Sequence, residues 1–299
     1  NNGLTLTIGT SGFSQSAGTF IGGTGTTTTS GSFTISGGTF NAASTTEFTG
    51  NSTTININAT QDFYDLVMNS NSIASKTITS GDILVVNGTL YLSRGNVSTG
   101  TIQAKGNISQ ASIMEGTSAV IDFANDSLSQ TWTVNGGTGP IIRLDSAADA
   151  NDSIVLNTHA GFNGATVTSA FVGTIPIVNS GNYDLAFGTG GYTQAAGTFN
   201  GGTGTTTFSG GFTISGGTFN AATNTRITGL SHTLNVDTTQ TFYNLTFHPN
   251  GGSGKTIASG DTFIVLNELN INDGFLHNPG ILEARGNVTI ASAFDGGTT

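Results

Sequence analysis

The chain has 299 residues and no cysteine, and Thr, Ser, Asn and Gly contribute 52, 29, 29 and 45 residues respectively. Only 8% of the residues are charged, and the formal net charge is −10. This composition excludes a disulfide scaffold, a thiolate metal site and the basic surface of a nucleic-acid-binding protein. No apolar run approaches the length of a membrane-spanning helix, whereas a hydrophobic fraction of 35% is enough for a folded core.

The predicted elements are short strands along the whole chain, because Gly, Thr, Asn and Ser are poor helix formers and β-branched residues favour strands. Apolar and polar residues alternate in Thr54–Asn58 and again in Thr233–Asp237. Val120–Phe123 and Ile154–Leu156 are further strand candidates. The intervening Ser-Gly, Gly-Gly, Asn-Gly and Asp-Gly pairs predict turns. We expect a helix content close to zero.

The chain contains a long internal repeat. Phe33–Ala43 recurs residue for residue as Phe212–Ala222, and Ala104–Ile108 resembles Ala284–Val288. The first copy spans residues 1–116 and the second spans 180–296, whereas the strand-rich segment 117–179 occurs once. No linker separates these parts, so we expect one continuous body over residues 1–299.

A shorter repeat lies inside each copy. Phe13–Phe20 is echoed by Phe33–Phe40, and Tyr192–Phe199 is echoed by Phe212–Phe219. A period near 20 with three short strands per turn favours an all-β fold, a parallel β-helix (β-solenoid) in which equivalent positions stack about 4.8 Å apart. The predicted interior aromatic stack comprises Phe13, Phe20, Phe33, Phe40, Tyr192, Phe199, Phe212 and Phe219. Asn200 and Asn220 should form a ladder of amides at a turn.

Tandem β-sandwich domains are the alternative fold, since sandwiches also have short strands and frequent turns. The exact echo of the aromatic motif favours the solenoid, because a sandwich gives no reason for it. With about 20 residues per coil, a chain of this length predicts roughly 15 coils.

One set of motifs resembles repeats in very large secreted bacterial surface proteins. The set comprises Thr241–Phe247, Gly254–Ile257, Ser259–Asp261, Leu269–Ile271 and Leu282–Val288. Such proteins are similar to filamentous-haemagglutinin-type and other adhesin β-helices. The resemblance implies a right-handed parallel β-helix, an extracellular or cell-surface location and a structural or adhesive role. It implies no catalytic residues.

Catalytic motifs are missing from the sequence. The four histidines, His159, His232, His248 and His277, lie in no nucleophile or zinc-protease motif. Lys76 with Asp82 recurs as Lys255 with Asp261, and this duplication predicts a repeated structural turn rather than a single active site. We therefore expect no enzyme activity, with a polysaccharide lyase or hydrolase as the alternative.

No cofactor is expected, apart from calcium at one acidic stretch. Asp145, Asp149 and Asp152 supply carboxylates that could hold Ca²⁺, although their spacing fits neither an EF-hand nor a β-roll. A solvated acidic loop is the alternative.

Two further surface hypotheses concern threonine and aromatic residues. An ice-binding surface needs Thr-x-Thr on every coil of a flat face, but the pairs in this sequence, such as Thr5/Thr7 and Thr77/Thr79, do not recur at one coil period, so no ordered rank of Thr is predicted. Trp132 and Tyr243 are the hints of a carbohydrate-binding surface.

Together these features predict a structural module of an extracellular bacterial fibre or cell-surface adhesin. The expected partners are further copies or repeats of the same chain, joined head to tail, together with surface glycans or host receptors. Neither nucleic acid nor a membrane span is expected.

Overall fold

The computed structural model describes residues 2–116, 118–124, 129–144, 152–167, 177–179, 182–249, 253–277 and 279–297. Within these residues the chain is all-β and contains no helix. It is a parallel β-solenoid of about 12 turns, each of about 21 residues. The chain divides into two compact units, unit 1 (Asn1–Arg143) and unit 2 (Leu144–Thr299). The expectation of one continuous body over the whole chain stays a prediction.

The strands are short, mostly three to five residues long. In unit 1 they are β1 (Leu6–Ile8), β2 (Phe13–Gln15), β3 (Thr19–Ile21), β4 (Thr26–Thr29), β5 (Phe33–Ile35), β6 (Thr39–Asn41), β7 (Thr45–Phe48), β8 (Thr53–Asn56), β9 (Thr60–Phe63), β10 (Asp65–Asn69), β11 (Ser75–Ile78), β12 (Ile83–Val86), β13 (Leu90–Arg94), β14 (Asn96–Ser98), β15 (Thr101–Ala104), β16 (Ile108–Gln110), β17 (Val120–Phe123), β18 (Thr131–Val134) and β19 (Thr138–Leu144), which ends where unit 2 begins.

In unit 2 several strands are longer. They are β20 (Ser153–Leu156), β21 (Ala160–Val167), β22 (Ile177–Asn179), β23 (Leu185–Gln194), β24 (Thr198–Asn200), β25 (Thr205–Phe208), β26 (Phe212–Ile214), β27 (Thr218–Asn220), β28 (Asn224–Gly229), β29 (His232–Val236), β30 (Thr239–Pro249), β31 (Gly254–Ile257), β32 (Thr262–Ile271), β33 (Gly274–His277), β34 (Ile281–Ala284), β35 (Asn287–Ile290) and β36 (Phe294–Gly296).

Three columns of stacked strands run through unit 1. The first column stacks β1, β4, β7, β10, β13, β16 and β18, and the second stacks β2, β5, β8, β11 and β14. The third column consists of β3 on β6, followed by the set β9, β12, β15 and β17. The described pairings of both units are parallel, which confirms the solenoid and excludes a sandwich of antiparallel strands.

Unit 2 has the same three-column organisation. The first column runs through β25, β28 and the ends of β30 and β32 to β35, and the second runs through β26, β29, β31 and β33 to β36. The third column stacks β24 on β27, followed by the starts of β30 and β32 and then β34. The long strands β30 and β32 therefore each contribute to two columns.

The structure has about 12 coils of about 21 residues, fewer and slightly longer than the sequence predicts, and the turns between the strands differ in length. Leu66 pairs with Leu90, and Leu90 in turn pairs with Ile108, so the second of these two coils is several residues shorter than the first. Corner loops absorb this variation while the paired strands keep their register. Where the repeated aromatic motif occurs, the coil has the length that the sequence repeat predicts, as the pairing of Phe13 with Phe33 shows.

The internal repeat is confirmed by matching strand pairings. Phe33 of the first copy pairs with Ile55, and the equivalent Phe212 pairs with Leu234. The corner before each aromatic also matches. Gly38 has a φ of 84°, and a Cβ there would lie 2.5 Å from the carbonyl oxygen of Gly18, so this tight corner requires glycine.

The aromatic positions stack along the interior of each unit. The rings of Phe20 and Phe40 lie 4.9 Å apart at 5°, and those of Phe199 and Phe219 lie 4.7 Å apart at 6°. Phe13 stacks on Phe33 with ring centroids 5.0 Å apart, and Tyr192 on Phe212 with centroids 6.0 Å apart. Phe13 and Phe20 are only half-buried because they belong to β2 and β3 of the first coil.

We expect Phe40→Ala and Phe219→Ala each to lower the free energy of unfolding by about 3–5 kcal/mol, because each change leaves a cavity in a stacked core. Urea unfolding followed by circular dichroism measures the loss. Ile21→Ala is the control, since Ile21 is an exposed residue of β3 and its truncation should cost less than about 0.5 kcal/mol. Equal losses in all three variants would contradict the assignment of the core.

Candidate functional site

Amides form ladders on the outer surface of unit 2. The Nδ2 of Asn220 donates to Oδ1 of Asn200 at 2.7 Å, and the two residues end the paired strands β24 and β27 rather than lying in a turn as predicted. The sequence analysis missed a longer ladder in which Asn244 donates to Asn224 at 2.8 Å and Asn267 donates to Asn244 at 2.7 Å. The available signal was that Asn224 and Asn244 are separated by the period of the aromatic echo, whereas Asn267 follows Asn244 after a longer turn.

Gln15 and Gln194 are buried amides that tie adjacent coils together from inside. The Nε2 of Gln15 donates to the carbonyl oxygens of Gly18 and Thr39, at 3.1 and 3.0 Å. The Nε2 of Gln194 makes the same bonds to Gly197 and Thr218, at 3.0 and 3.1 Å. A buried side-chain amide stabilises a structure when its donors are satisfied, so these contacts are structural and occur in both copies.

Lys76 of β11 and Lys255 of β31 are fully buried, and their side chains reach equivalent corners of the two copies, so we call them the corner lysines. The Nζ of Lys76 donates to the carbonyl oxygen of Gly50 at 2.8 Å and to Oγ of Ser70 at 2.6 Å, and Nζ of Lys255 donates to the carbonyl oxygen of Leu230. Gly50 and Leu230 are corner residues outside the strands, so the lysines satisfy carbonyl groups that no strand pairing reaches. Within the described residues, neither lysine forms an ion pair with the aspartate that follows it in the sequence.

Asp82 and Asp261 stabilise a different corner. The carboxylate of Asp82 accepts hydrogen bonds from the backbone N–H groups of Ile57, at 2.8 Å, and Ala59, at 3.1 Å. Asp261 accepts from the N–H of Val236 at 2.7 Å. Ala59 has a φ of 92°, a conformation that side chains disfavour, and the carboxylate holds the backbone in it.

Burial lowers the pKa of both corner lysines to about 8, and for Lys76 the negative charge of Glu47 opposes this effect. The buried site disfavours the charged form, because the hydrogen bonds replace only part of the lost hydration. Burial also raises the pKa of Tyr192 well above its ordinary value. Burial lowers the pKa of His232 as well, and the positive charge of Lys255 lowers it further.

Metal-binding groups are not clustered in the described ranges, where no three His, Asp or Glu side chains are placed to share an ion. Two residues of the calcium hypothesis, Asp145 and Asp149, lie outside the described residues, and Asp152 is buried. His159 lies 3.3 Å from a carboxylate oxygen of the exposed Asp184, which is a surface contact.

Threonine residues align between some adjacent coils. Thr7 pairs with Thr28 in the first column, and Thr19 pairs with Thr39 in the third. The first alignment does not continue, because Thr28 pairs with Glu47 of the next coil, so the prediction that no ordered Thr rank exists stays a prediction. The sequence period missed the pairing of Thr7 with Thr28 because the coil between them is slightly longer than the repeat of the aromatic motif.

Other threonines point into the core. Thr27 and Thr46 form a buried pair on adjacent strands, and Thr206 and Thr225 form the equivalent pair in the second copy. Among the described residues, no hydrogen-bonding group lies within reach of their hydroxyl oxygens. Each hydroxyl therefore carries a desolvation cost without a compensating hydrogen bond.

The two aromatic residues that suggested a carbohydrate-binding surface, Trp132 and Tyr243, differ in exposure. Trp132 is fully buried in β18 and cannot contact a glycan. Tyr243 is exposed, and so is the equivalent residue of the first copy, Tyr64.

One coil of unit 2, formed by β34, β35 and β36, leaves apolar side chains uncovered. Val288 is 50% exposed and Ile290 is 59% exposed. Their counterparts in the first copy, Ile108 and Gln110, are buried because they pair with Trp132 and Val134 of the next coil. The uncovered side of this coil thus has the composition of an interior surface.

These features define the class of the protein as a parallel β-solenoid with an internal repeat. Comparisons with protein-family models, with curated proteins and with solved structures returned no match. Among the described residues, no helix has the length and apolar character needed to cross a membrane.

We expect the free energy of unfolding to rise between about pH 8 and pH 10.5, because the pKa of each corner lysine is about 8 when folded and 10.5 when unfolded. Between these values the unfolded chain binds more protons than the folded chain, so raising the pH favours folding. Urea unfolding at pH 7.5, 8.5 and 9.5 measures the slope.

Lys76→Met and Lys255→Met should each reduce this slope, whatever their effect on stability at pH 7.5. Lys105→Met removes an exposed lysine and is the matched control that should leave the slope unchanged. A slope equal in all variants would contradict the depressed pKa values.

We expect Thr46→Val and Thr225→Val each to raise the free energy of unfolding by about 1 kcal/mol, because a methyl group replaces a buried hydroxyl whose desolvation is uncompensated. Thr193→Val, on the exposed side of β23, is the control and should change stability by less than about 0.5 kcal/mol. A loss of stability in the two buried variants would show that the hydroxyls are hydrogen-bonded to internal water.

Proposed function

We propose that this chain is a structural module of an extracellular bacterial fibre or cell-surface adhesin, and that its coils stack end to end with those of neighbouring copies or further repeats. The proposal assigns no catalytic activity to the chain. Its main support is the uncovered interior-type surface of the coil formed by β34, β35 and β36. A surface of this kind ordinarily lies against another coil, as the first copy illustrates at Ile108.

The coil formed by β1, β2 and β3 supplies a matching partner surface. Leu6 is exposed there, and Ile8 and Phe13 are half-buried. The equivalent residues of the second copy, Leu185, Phe187 and Tyr192, are buried. In the proposed contact, β1 of one copy pairs with β35 of another, so that Leu6 faces Val288 and Ile8 faces Ile290.

The second column then places Phe13 against Phe294, and the third places β3 against β34. All three columns would thus continue across the junction with parallel main-chain hydrogen bonds. Such a contact joins two different surfaces and does not close on itself, so it propagates as a filament.

The composition is compatible with a passive surface module. The outward positions are mostly Thr, Ser and Asn, and only 8% of the residues are charged. An extracellular location is part of the proposal, and surface labelling of the producing cells with an antibody against the chain tests it. Labelling confined to permeabilised cells would contradict that location.

We expect the average mass in light scattering to increase with protein concentration, and electron microscopy to show filaments one solenoid wide. Val288→Lys with Ile290→Lys should give a monomer at every concentration, because two charges would be buried at the junction. Leu230→Lys is the matched control, since Leu230 is exposed on a corner away from β34–β36, and it should assemble normally.

Two results would overturn end-to-end assembly. One is a wild-type chain that stays monomeric up to its solubility limit. The other is assembly that persists in the double lysine variant but is lost in Leu230→Lys, which would place the contact on a side face.

A further inference from the structure

An exposed tyrosine occupies the same corner in both copies. Tyr64 is 61% exposed and Tyr243 is 51% exposed, although the Phe before each and the Leu two residues after each are fully buried. These corners join the third column of strands to the first. Large aromatic side chains are rare among the outward positions of this chain, which are otherwise rich in Thr, Ser and Asn, so a pair at equivalent positions calls for an explanation.

The backbone directs two consecutive side chains outward at this corner. In unit 2 the pairing of β30 with β32 shifts register between Phe242 and Asn244. Strict alternation along a strand would turn one of Tyr243 and Asn244 inward, but Phe242 and Leu245 are both buried, so the two residues between them lie on the outer surface, and the extra residue of the bulge belongs to β32. In unit 1 the break between β9 and β10 at Tyr64 has the same effect.

Asn244, the middle residue of the amide ladder of unit 2, directly follows Tyr243 in the chain. Asn244 accepts a hydrogen bond from Asn267 and donates one to Asn224, over distances of 2.7 and 2.8 Å. The ladder uses one of the two N–H hydrogens of Asn244 and of Asn267, and it fixes the orientation of the amides. The result is an aromatic ring next to a row of pre-oriented, uncharged donors and acceptors that repeats along the solenoid axis.

Unit 1 differs at the residue that follows the tyrosine. Asp65 replaces the asparagine, and its Oδ1 accepts the backbone N–H of Thr89 at 2.6 Å. The carboxylate cannot donate a hydrogen bond, so the row of amides beside Tyr243 has no equivalent beside Tyr64 among the described residues.

We propose that Tyr243 and the ladder Asn224–Asn244–Asn267 form a binding surface for a neutral polysaccharide chain lying along the solenoid axis, with Tyr64 as a second and weaker site. The tyrosine ring would stack on a sugar ring, and the amides would exchange hydrogen bonds with sugar hydroxyls. This binding goes beyond the structural role proposed above. A neutral polymer is favoured because the four side chains are uncharged and the net charge of −10 repels polyanions.

Pre-oriented amides lose little side-chain entropy on binding, which favours a weak contact repeated along a polymer.

The test is affinity electrophoresis of the assembly-deficient Val288→Lys/Ile290→Lys variant through gels containing xyloglucan, galactomannan or mixed-linkage β-glucan, with alginate as the polyanion. Binding is thereby measured separately from assembly. At least one neutral polysaccharide should retard the chain, and alginate should not. Failure with all three neutral polymers would overturn the proposal without affecting the assembly hypothesis.

Substitutions locate the binding surface. Tyr243→Ala should weaken binding about tenfold, Tyr64→Ala should weaken it less, and the double variant should abolish it. Tyr243→Phe should retain binding because the ring remains. Asn244→Asp reproduces the unit 1 sequence and should weaken binding by disrupting the ladder.

Tyr91→Ala is the matched control, because Tyr91 is an exposed tyrosine of β13 that lies outside the ladder. It should leave the retardation unchanged, and thermal unfolding should show that all variants remain folded. Retardation that survives the Tyr64/Tyr243 double variant, or that is lost in Tyr91→Ala, would overturn the proposed site.

Discussion

Parallel main-chain hydrogen bonding between successive coils is the constraint on which the rest of this structure depends. It fixes the spacing of the coils at about 4.8 Å and places equivalent residues directly above one another. Each side chain therefore has its closest neighbours in the coils above and below. A residue type that interacts favourably with itself, such as the Phe of the aromatic stack or the Asn of the outer ladders, stabilises the array through repetition.

The same constraint makes the corners the difficult parts of the fold. Strands satisfy their own backbone groups, but every turn leaves carbonyl and N–H groups that need other partners. Buried side chains supply them, and they include Gln15 and Gln194 at the corner after the second column, Lys76 and Lys255 at another, and Asp82 where Ala59 adopts a positive φ. The contacts of Gln15 and of Lys76 recur in the second copy at Gln194 and Lys255, so these polar residues stabilise the same corners twice.

The two proposals concern different parts of the structure, and only the proposed polysaccharide-binding surface lies at a corner. A solenoid with uniform polar faces offers few places for recognition, and the corner that turns both Tyr243 and Asn244 outward is one of them. The uncovered coil surface around Val288 is a different kind of feature, because main-chain hydrogen bonds rather than side-chain contacts would continue across it. The first surface would bind along the side of the module, and the second would extend the module along its axis.

The sequence by itself determined the strand content, the parallel solenoid and the internal repeat. These properties follow from local or periodic patterns, which can be recognised without knowledge of the tertiary structure. The patterns are the alternating apolar residues, the Gly-rich corners and the exact repeat of Phe33–Ala43 at Phe212–Ala222. The stacking of Phe20 on Phe40 follows from the same period. Only the tertiary structure decided which residues meet when the turns differ in length.

Register is the physical reason for that limit. One extra residue in a corner loop leaves the strands paired but changes which sequence positions align, so a fixed period misses the contact of Asn244 with Asn267 and the alignment of Thr7 with Thr28. Register also decides whether a side chain points into the solenoid or out of it. Trp132 lies inside and Tyr243 lies outside, although both are aromatic residues in strand-forming sequence. Strand formation is a local property of the chain. The pairing partner and the direction of each side chain depend instead on the lengths of all the turns that separate the paired strands.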